Sequence, residues 1–389
     1  MSKRQPAEPR SRAEPRPAVP ADGPAEHPDY LTKQLVTYLG NKRSLLGPIE
    51  AAVEKVKRRL GKSRISCFDV FSGSGVVSRL LKSHASHLIA NDLEAYSAVA
   101  SRCFLANRSD VDSAALAEMV ADLNTRVARD DAPRGFIEAM YAPKDEAHIT
   151  ADDRVFYTRD NARRLDAYRQ LIDAVPAEFR DFLLAPLISE ASIHANTAGV
   201  FKGFYKNRQT GIGKFGGTGS DALLRIRGEI RLAPPTLSRF ECPFEVFQTD
   251  AHAAALRARP VDLAYLDPPY NQHPYGSNYF LLNLLVRYER PERVSRVAGI
   301  PVDWNRSAYN VRAESVARLE ALVKDLAAAY LLVSFNNEGF IPPPAMQRML
   351  AAHGRVEVIE IPYPAFRGSR SFANRPIHVT EHLFLVEKR

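Results

Sequence analysis

Cysteine is almost missing from this 389-residue chain: Cys67, Cys103 and Cys242 are the whole complement. Three thiols so far apart, and odd in number, supply neither a disulfide framework nor the paired spacing of a zinc site, so a reducing cytoplasm is the expected setting. Long apolar runs are also lacking. The longest, LAAAYLLVSF ending at Phe335, falls well short of the roughly 20 residues that span a bilayer, and no membrane anchor is expected. No apolar signal-peptide centre stands near the start; residues 1–29 are rich in Pro, Ala, Arg and Glu, a composition that cannot bury a core, and are expected to form a disordered tail. There is no internal repeat, no full GxGxxG fingerprint and no spacing that marks a metal site. What is present in modest excess is positive charge: 53 Lys plus Arg against 45 Asp plus Glu, a net +8, which favours a polyanionic partner without naming one.

Folded character begins near Tyr30. The segment IEAAVEKVKRRL carries apolar residues at helical spacing and stops at Gly61. The period then changes. ISCFDVF (65–71) is a short apolar run halted by SGSG, VVSRLLKSH resumes a helical pattern, and HLIAND (87–92) predicts a second buried strand followed by a helix over about 94–106. Such alternation predicts a parallel sheet covered on both faces. Roughly 130 residues then break the pattern, mainly helical through LISEASIHAN and afterwards glycine-rich and basic. Strand-like runs return at 244–250, 261–267, 331–335, 356–361 and 382–388. The last two have no crossover helix between them and predict an antiparallel hairpin at the sheet edge.

The sharpest chemical signal is LAYLDPPYN, where Asp267, Pro268, Pro269 and Tyr270 follow a predicted strand, the position at which open α/β sheets hold ligands. Two prolines fix the backbone and remove its amide donors, so the loop offers a carboxylate and carbonyls as acceptors. An exocyclic amine has two N–H donors that Asp267 and the Pro268 carbonyl are suited to accept together, with Tyr270 placed to stack on the base. A second signal is the glycine turn after the first strand, Asp69-Val70-Phe71-Ser72-Gly73-Ser74-Gly75, with Asp92 about 20 residues beyond Gly73 where an acid accepts from ribose hydroxyls. Alone, that pair also fits a dinucleotide dehydrogenase; the DPPY loop separates the two readings.

In this setting DPPY resembles the catalytic motif of the Dam-like, D12-class DNA adenine-N6 methyltransferases. The resemblance covers most of the folded chain: TYLGNKRSLL, DVFSGSG, IANDLE, TDA, DPPY with YNQHPYGSNYFLLN, and the terminal AFRGSRSFANRPIHVTEHLFLVEKR, in the family's order. It implies a Rossmann-like class I methyltransferase fold with a mostly parallel seven-stranded sheet and an antiparallel edge hairpin. It implies S-adenosyl-L-methionine as cofactor, enclosed by Tyr38, Gly40, Lys42, Asp69, Phe71, Ser72, Gly73, Gly75 and Asp92, with Asp250 near its adenine; read by itself, Asp250 equally suits the cap of the helix starting at AHAAALRA. The expected organisation is a tail (1–29), a cofactor-binding half (30–107), an inserted target-recognition region (108–242) and a catalytic half (243–389).

The insertion's Lys202, Lys206, Arg208, Lys214, Arg225 and Arg227, interleaved with Phe201, Phe204, Tyr205 and Phe215, are expected to contact duplex DNA, as are Arg367, Arg370 and Arg375. Asn196 is a further candidate, while His194 and His273 stay unassigned. The expected reaction is direct methyl transfer to N6 of an adenine flipped from duplex DNA in a prokaryotic cytoplasm, at the nucleoid, with a cognate restriction endonuclease as a possible partner. No metal is expected. The same chemistry on cytosine N4 or an RNA adenine, or a noncatalytic DNA-binding protein of this fold, are the alternatives.

Overall fold

The computed structural model describes residues 26–217, 221–269, 271–364 and 378–389. Seven apolar runs form strands: β1 (Ile65–Asp69), β2 (Ala85–Asp92), β3 (Phe244–Gln248), β4 (Val261–Leu266), β5 (Ala328–Asn336), β6 (Gly354–Pro364) and β7 (His378–Lys388). They make one sheet in the order β3-β2-β1-β4-β5-β7-β6. Strands β1 to β5 pair in parallel, whereas β7 runs antiparallel between β5 and β6. This is the mostly parallel sheet with an antiparallel edge that the sequence predicts for a class I methyltransferase fold. Strand β7 begins four residues before the predicted 382, because its polar start still pairs: Glu381 opposes Asn336 of β5 and Ile361 of β6.

Period-two alternation splits each strand between two cores. Along β4, Ala264 and Leu266 pack with the helices Ala251–Arg257, Arg312–Asp325 and Pro343–Ala351. Leu263 and Tyr265 face the other side, with Leu46–Leu60 and Val76–Lys82. The helix Leu46–Leu60 ends where predicted, at Gly61 with φ 64°, a left-handed position that suits a residue without Cβ.

The middle of the chain folds as helices Ser113–Ala128, Arg159–Asp173 and Ala177–Ile193. Their Leu123, Leu165, Tyr168 and Ile188 share a third core with Tyr96 and Val99 of the helix Ala95–Phe104 and with Phe280 and Leu285 of the helix Phe280–Arg287. Each fully buried side chain of this size contributes roughly 1.5–3 kcal/mol, so these helices are welded to the sheet's own layer. Part of the expected tail belongs to the fold: the Glu26 carboxylate accepts from Ser238 Oγ (2.5 Å) and the Arg239 amide (2.8 Å). Residues 1–25 of that tail lie outside the described residues. Among the described residues, no helix is long and apolar enough to cross a membrane.

Candidate active site

Parallel strands end at a common edge, and the adjacency of β3, β2, β1 and β4 sets four acids in a row there. Asp69 closes β1 in register with Tyr265 of β4, Asp92 closes β2, Asp267 follows β4, and Asp250 follows β3. All four line one solvent-open cleft of about 820 Å³, together with Tyr38, Gly40, Lys42, Phe71, Ser72, Gly73 and Pro269. Pro268 is buried and instead packs beside Tyr309 and Phe335. Tyr270, the fourth residue of the loop, lies outside the described residues.

The glycine turn forms one wall. Gly73 (φ 51°) donates its amide to Asp92 Oδ2 at 2.7 Å, and Asp92 Oδ1 accepts from the Glu94 amide at 2.9 Å. The acid is thereby fixed at the cleft, with further lone pairs on both oxygens. A Cβ on Gly73 would come to 3.0 Å from the Tyr38 ring. Gly75 (φ 73°) is not a wall residue; it is the left-handed position from which the helix Val76–Lys82 starts. Asp250 serves locally as the cap considered above, accepting from the His252 and Ala253 amides, while also lining the cleft.

Tyr38 is held by residues the sequence reading did not single out. Its ring is stacked against both Tyr275 (centroids 4.9 Å, 9°) and Tyr279 (4.8 Å, 13°). Both partners also clasp Leu39: Tyr279 Oη accepts from its amide at 2.8 Å and Tyr275 Oη donates to its carbonyl at 3.2 Å. The segment that carries Tyr38, Gly40 and Lys42 is thus fastened to the residues just after DPPY. The signal was the four-residue spacing of the two tyrosines in YGSNY, which was visible only as part of a family block.

Lys42 departs most from expectation. Only 5% exposed, its ammonium sits 3.1 Å from Asp267 Oδ1 and 2.8 Å from Glu381 Oε1, and Glu381 also accepts from Ser334 Oγ at 2.7 Å. Lys42 lines the cleft, but its charge is committed to the DPPY carboxylate. Glu381 and Ser334 were missed, although an acid inside the apolar run VTEHLFLV was a signal.

Burial dominates the electrostatics of this edge. It raises Asp267 to about 6 against the lowering by Lys42, with Glu381 adding to the rise. Asp69 stands at about 7, raised by burial and held back by its bond from Ser78 Oγ (2.5 Å). Glu94 also stands at about 7, raised by burial and by the charge of Asp92, which burial itself raises. Desolvated acids crowded together make the cleft hospitable to a cationic ligand, whose charge would bring their pKa values down again.

The basic candidates are spread over different settings. Lys202, Lys206, Arg208 and Lys214 are exposed on the segment 201–214, where Lys206 lies over the Phe204 ring. That segment reaches the cleft's surroundings, since the Phe201 amide donates to the Asn278 carbonyl at 2.7 Å. Arg225 is half-buried, its guanidinium donating to the carbonyls of Ile193 and Ala195, while Arg227 is exposed. Asn196 is fully buried and pins the loop through the Val155 and Lys214 carbonyls and the Gly216 amide. His194 bonds the Arg225 carbonyl, and His273 is exposed. Arg367, Arg370 and Arg375 lie outside the described residues.

Comparison with known proteins agrees with this geometry. The D12 class N6 adenine-specific DNA methyltransferase family matches residues 38–312, from the Tyr38 segment through the helix start after Tyr309. The chain is 27% identical to the Type II methyltransferase M.NlaIII of Neisseria lactamica, covering 91% of this chain and 99% of that protein. It is likewise 27% identical to the Type II methyltransferase M.CviAII of Paramecium bursaria Chlorella virus 1, covering 90% and 98%. It is 22% identical to the Type II methyltransferase M.FokI of Planomicrobium okeanokoites, covering 90% of this chain but 52% of that longer protein. With the DPPY loop, the glycine turn and the row of acids meeting in one cleft, the chain belongs to the D12 class of N6 adenine-specific DNA methyltransferases.

Proposed function

We propose that the methyl donor is S-adenosyl-L-methionine and that the acceptor is N6 of an adenine turned out of duplex DNA. The observation that carries this reading is the single cleft in which Asp267 stands beside the glycine turn and Asp92. The fit to the donor rests on three features: space for it, the close approach permitted at Gly73, and buried acids that favour a positively charged ligand. Asp92 would accept from the ribose hydroxyls, Tyr38, Phe71 and Asp250 would enclose the adenine moiety, and Asp69 would face the methionine end. When bound, the donor supplies an electrophilic methyl group on a sulfonium.

The rest of the chemistry belongs to the chain. With Lys42 on Oδ1, Asp267 has Oδ2 as the acceptor for one N6–H, and the Pro268 carbonyl takes the other. That orientation directs the nitrogen lone pair at the methyl carbon. As the nitrogen–carbon bond forms, the carbon–sulfur bond would break with its electron pair left on sulfur, Asp267 would offset the positive charge developing on nitrogen, and one N6 proton would leave to this carboxylate or to water, so catalysis comes from positioning and electrostatics without a covalent intermediate. Residues 108–242 serve as the target-recognition region, with Lys202, Lys206, Arg208 and Lys214 on phosphates. Relatives that are Type II methyltransferases and modification methylases support a place as the modification partner of a restriction endonuclease. Nucleoid-associated action in a prokaryotic cytoplasm follows from that role.

The test is expression in a methylation-free host followed by single-molecule mapping of modified bases. N6-methyladenine at one recurrent sequence is expected; modified cytosine, or no modified base, overturns the reading. A second test addresses the cofactor wall. Gly73→Val would strain a left-handed position and press on the Tyr38 ring. The dissociation constant for S-adenosylmethionine in calorimetry is expected to rise at least about tenfold, equivalent to roughly 1.4 kcal/mol. An unchanged constant would remove the turn from the binding site.

A further inference from the structure

A second cleft, of about 1040 Å³, opens between the helix Phe280–Arg287 and the segment 289–305. It shares Gly276 and Asn305 with the catalytic cleft. The two residues touch so closely that a Cβ on Gly276 would stand 2.3 Å from the Asn305 carbonyl oxygen. Asn305 spans both spaces: its Nδ2 donates to Glu94 Oε2 at 3.0 Å, and its Oδ1 accepts from Arg287 Nη2 at 3.3 Å. The positive charge of Arg287 in turn helps to lower Glu94.

The wall facing that helix is preformed. A bridge between Val294 and Pro301 and the bond from the Ser295 amide to the Ile300 carbonyl (2.8 Å) fold it into a small hairpin. The hairpin is moored to the body by Tyr141 Oη, which donates to the Gly299 carbonyl at 2.7 Å. The floor is apolar, with Phe280 and Leu284, and the exposed rim carries Arg287, Arg290 and Arg293. Trp304 lines it with Arg306 over its ring at 4.5 Å. Three acids, Glu289, Glu292 and Asp303, are also present. Among the described residues, however, no carboxylate lies within ion-pairing distance of Arg287, Arg290, Arg293 or Arg306. Exposed guanidiniums that hold no ion pair, beside an aromatic face, are suited to phosphates and a stacked nucleobase.

We propose that this cleft is a second DNA-holding surface, in which Arg290 and Arg293 take backbone phosphates flanking the target adenine and Trp304 stacks on a nucleobase. The proposal rests on DNA being the substrate. It makes the hairpin a wall of the DNA path in addition to the basic segment 201–214.

Trp304 is the single tryptophan of the chain, so its emission reports this cleft alone. The full chain is titrated with a duplex carrying its mapped methylation site, at several salt concentrations. Quenching of Trp304 on DNA addition is expected. The Arg290→Ala/Arg293→Ala double variant is expected to bind the duplex at least about tenfold more weakly, with the log–log salt slope lowered by roughly 2, about 0.9 per lost phosphate contact. Its melting temperature and its affinity for S-adenosylmethionine without DNA should be unchanged. Trp304→Ala is expected to raise KM for DNA with the salt slope retained. An emission indifferent to saturating duplex, or a double variant with wild-type slope and affinity, overturns the proposal. Emission that varies with protein concentration in the absence of DNA also overturns it, by assigning the cleft to a second copy. A wild-type protein that methylates no DNA would instead overturn the function itself.

Discussion

Asp267→Asn is expected to reduce the single-turnover rate of methyl transfer to DNA by about 10²- to 10³-fold or more, the loss typical when one preorganised electrostatic contact to the reacting centre is removed. The amide keeps the size of the side chain. It removes the negative charge that offsets the developing cation, and when its Nδ2 faces the adenine it sets a donor against the N6–H donors. Lys42 retains Glu381 as a partner, so the fold should survive. Calorimetry should therefore give a near wild-type S-adenosylmethionine affinity beside the collapsed rate. A rate within about threefold of wild type would mean that the carboxylate does not act on the amine, since catalytic electrostatic contacts count for far more.

The second large effect is expected from Lys42→Met. The substitution leaves Asp267 and Glu381 sharing a buried space with no cation between them. Breaking a buried pair on one side costs about 3–5 kcal/mol, which thermal melting at neutral pH should register. The sign of the pH response follows from the causes of the shift. Asp267 titrates at about 6 because burial and Glu381 raise it and Lys42 lowers it. Removing the lowering charge moves it higher, so the ascending limb of kcat, expected near pH 6 in the wild type, should move to higher pH. Stability should respond in the opposite direction. A carboxyl group whose folded pKa lies above its unfolded value of about 3.9 contributes stability that is lost as pH rises through the folded pKa, so the variant should recover stability in mild acid. Glu381→Gln removes the raising charge, leaves Lys42 on Asp267, and should move the limb down. Identical pH profiles for all three proteins would show that the ion pair does not govern the catalytic carboxylate.

The strands were legible because each is a short run rich in apolar residues between polar turns, and the inner strands β1 and β4 are buried on both faces in the manner of parallel sheets. Asp267, Asp92 and the glycine turn were legible because each sits immediately after such a run, where the backbone leaves the sheet. Glu381 was not. It lies between Thr380 and His382, ahead of the apolar run that announces the strand, so the pattern fails there. The role of Lys42 was hidden for a different reason: its two partners are 225 and 339 positions away, and no local periodicity encodes a contact of that span. Tyr275 and Tyr279 stack on Tyr38 across a similar gap. Arg225 shows the converse difficulty. Basic residues in a glycine-rich segment look alike in sequence, and only the carbonyls around this guanidinium distinguish it from its exposed neighbours.

Because β7 runs against its neighbours, its beginning rather than its end meets the open rim of the sheet, and Glu381 comes from within the last nine positions of the chain. Strand β7 is therefore part of the reaction centre's wiring. Clipping this stretch would remove both the carboxylate beside Lys42 and the strand that joins β5 to β6, so a proteolysed enzyme should lose its sheet edge together with its activity.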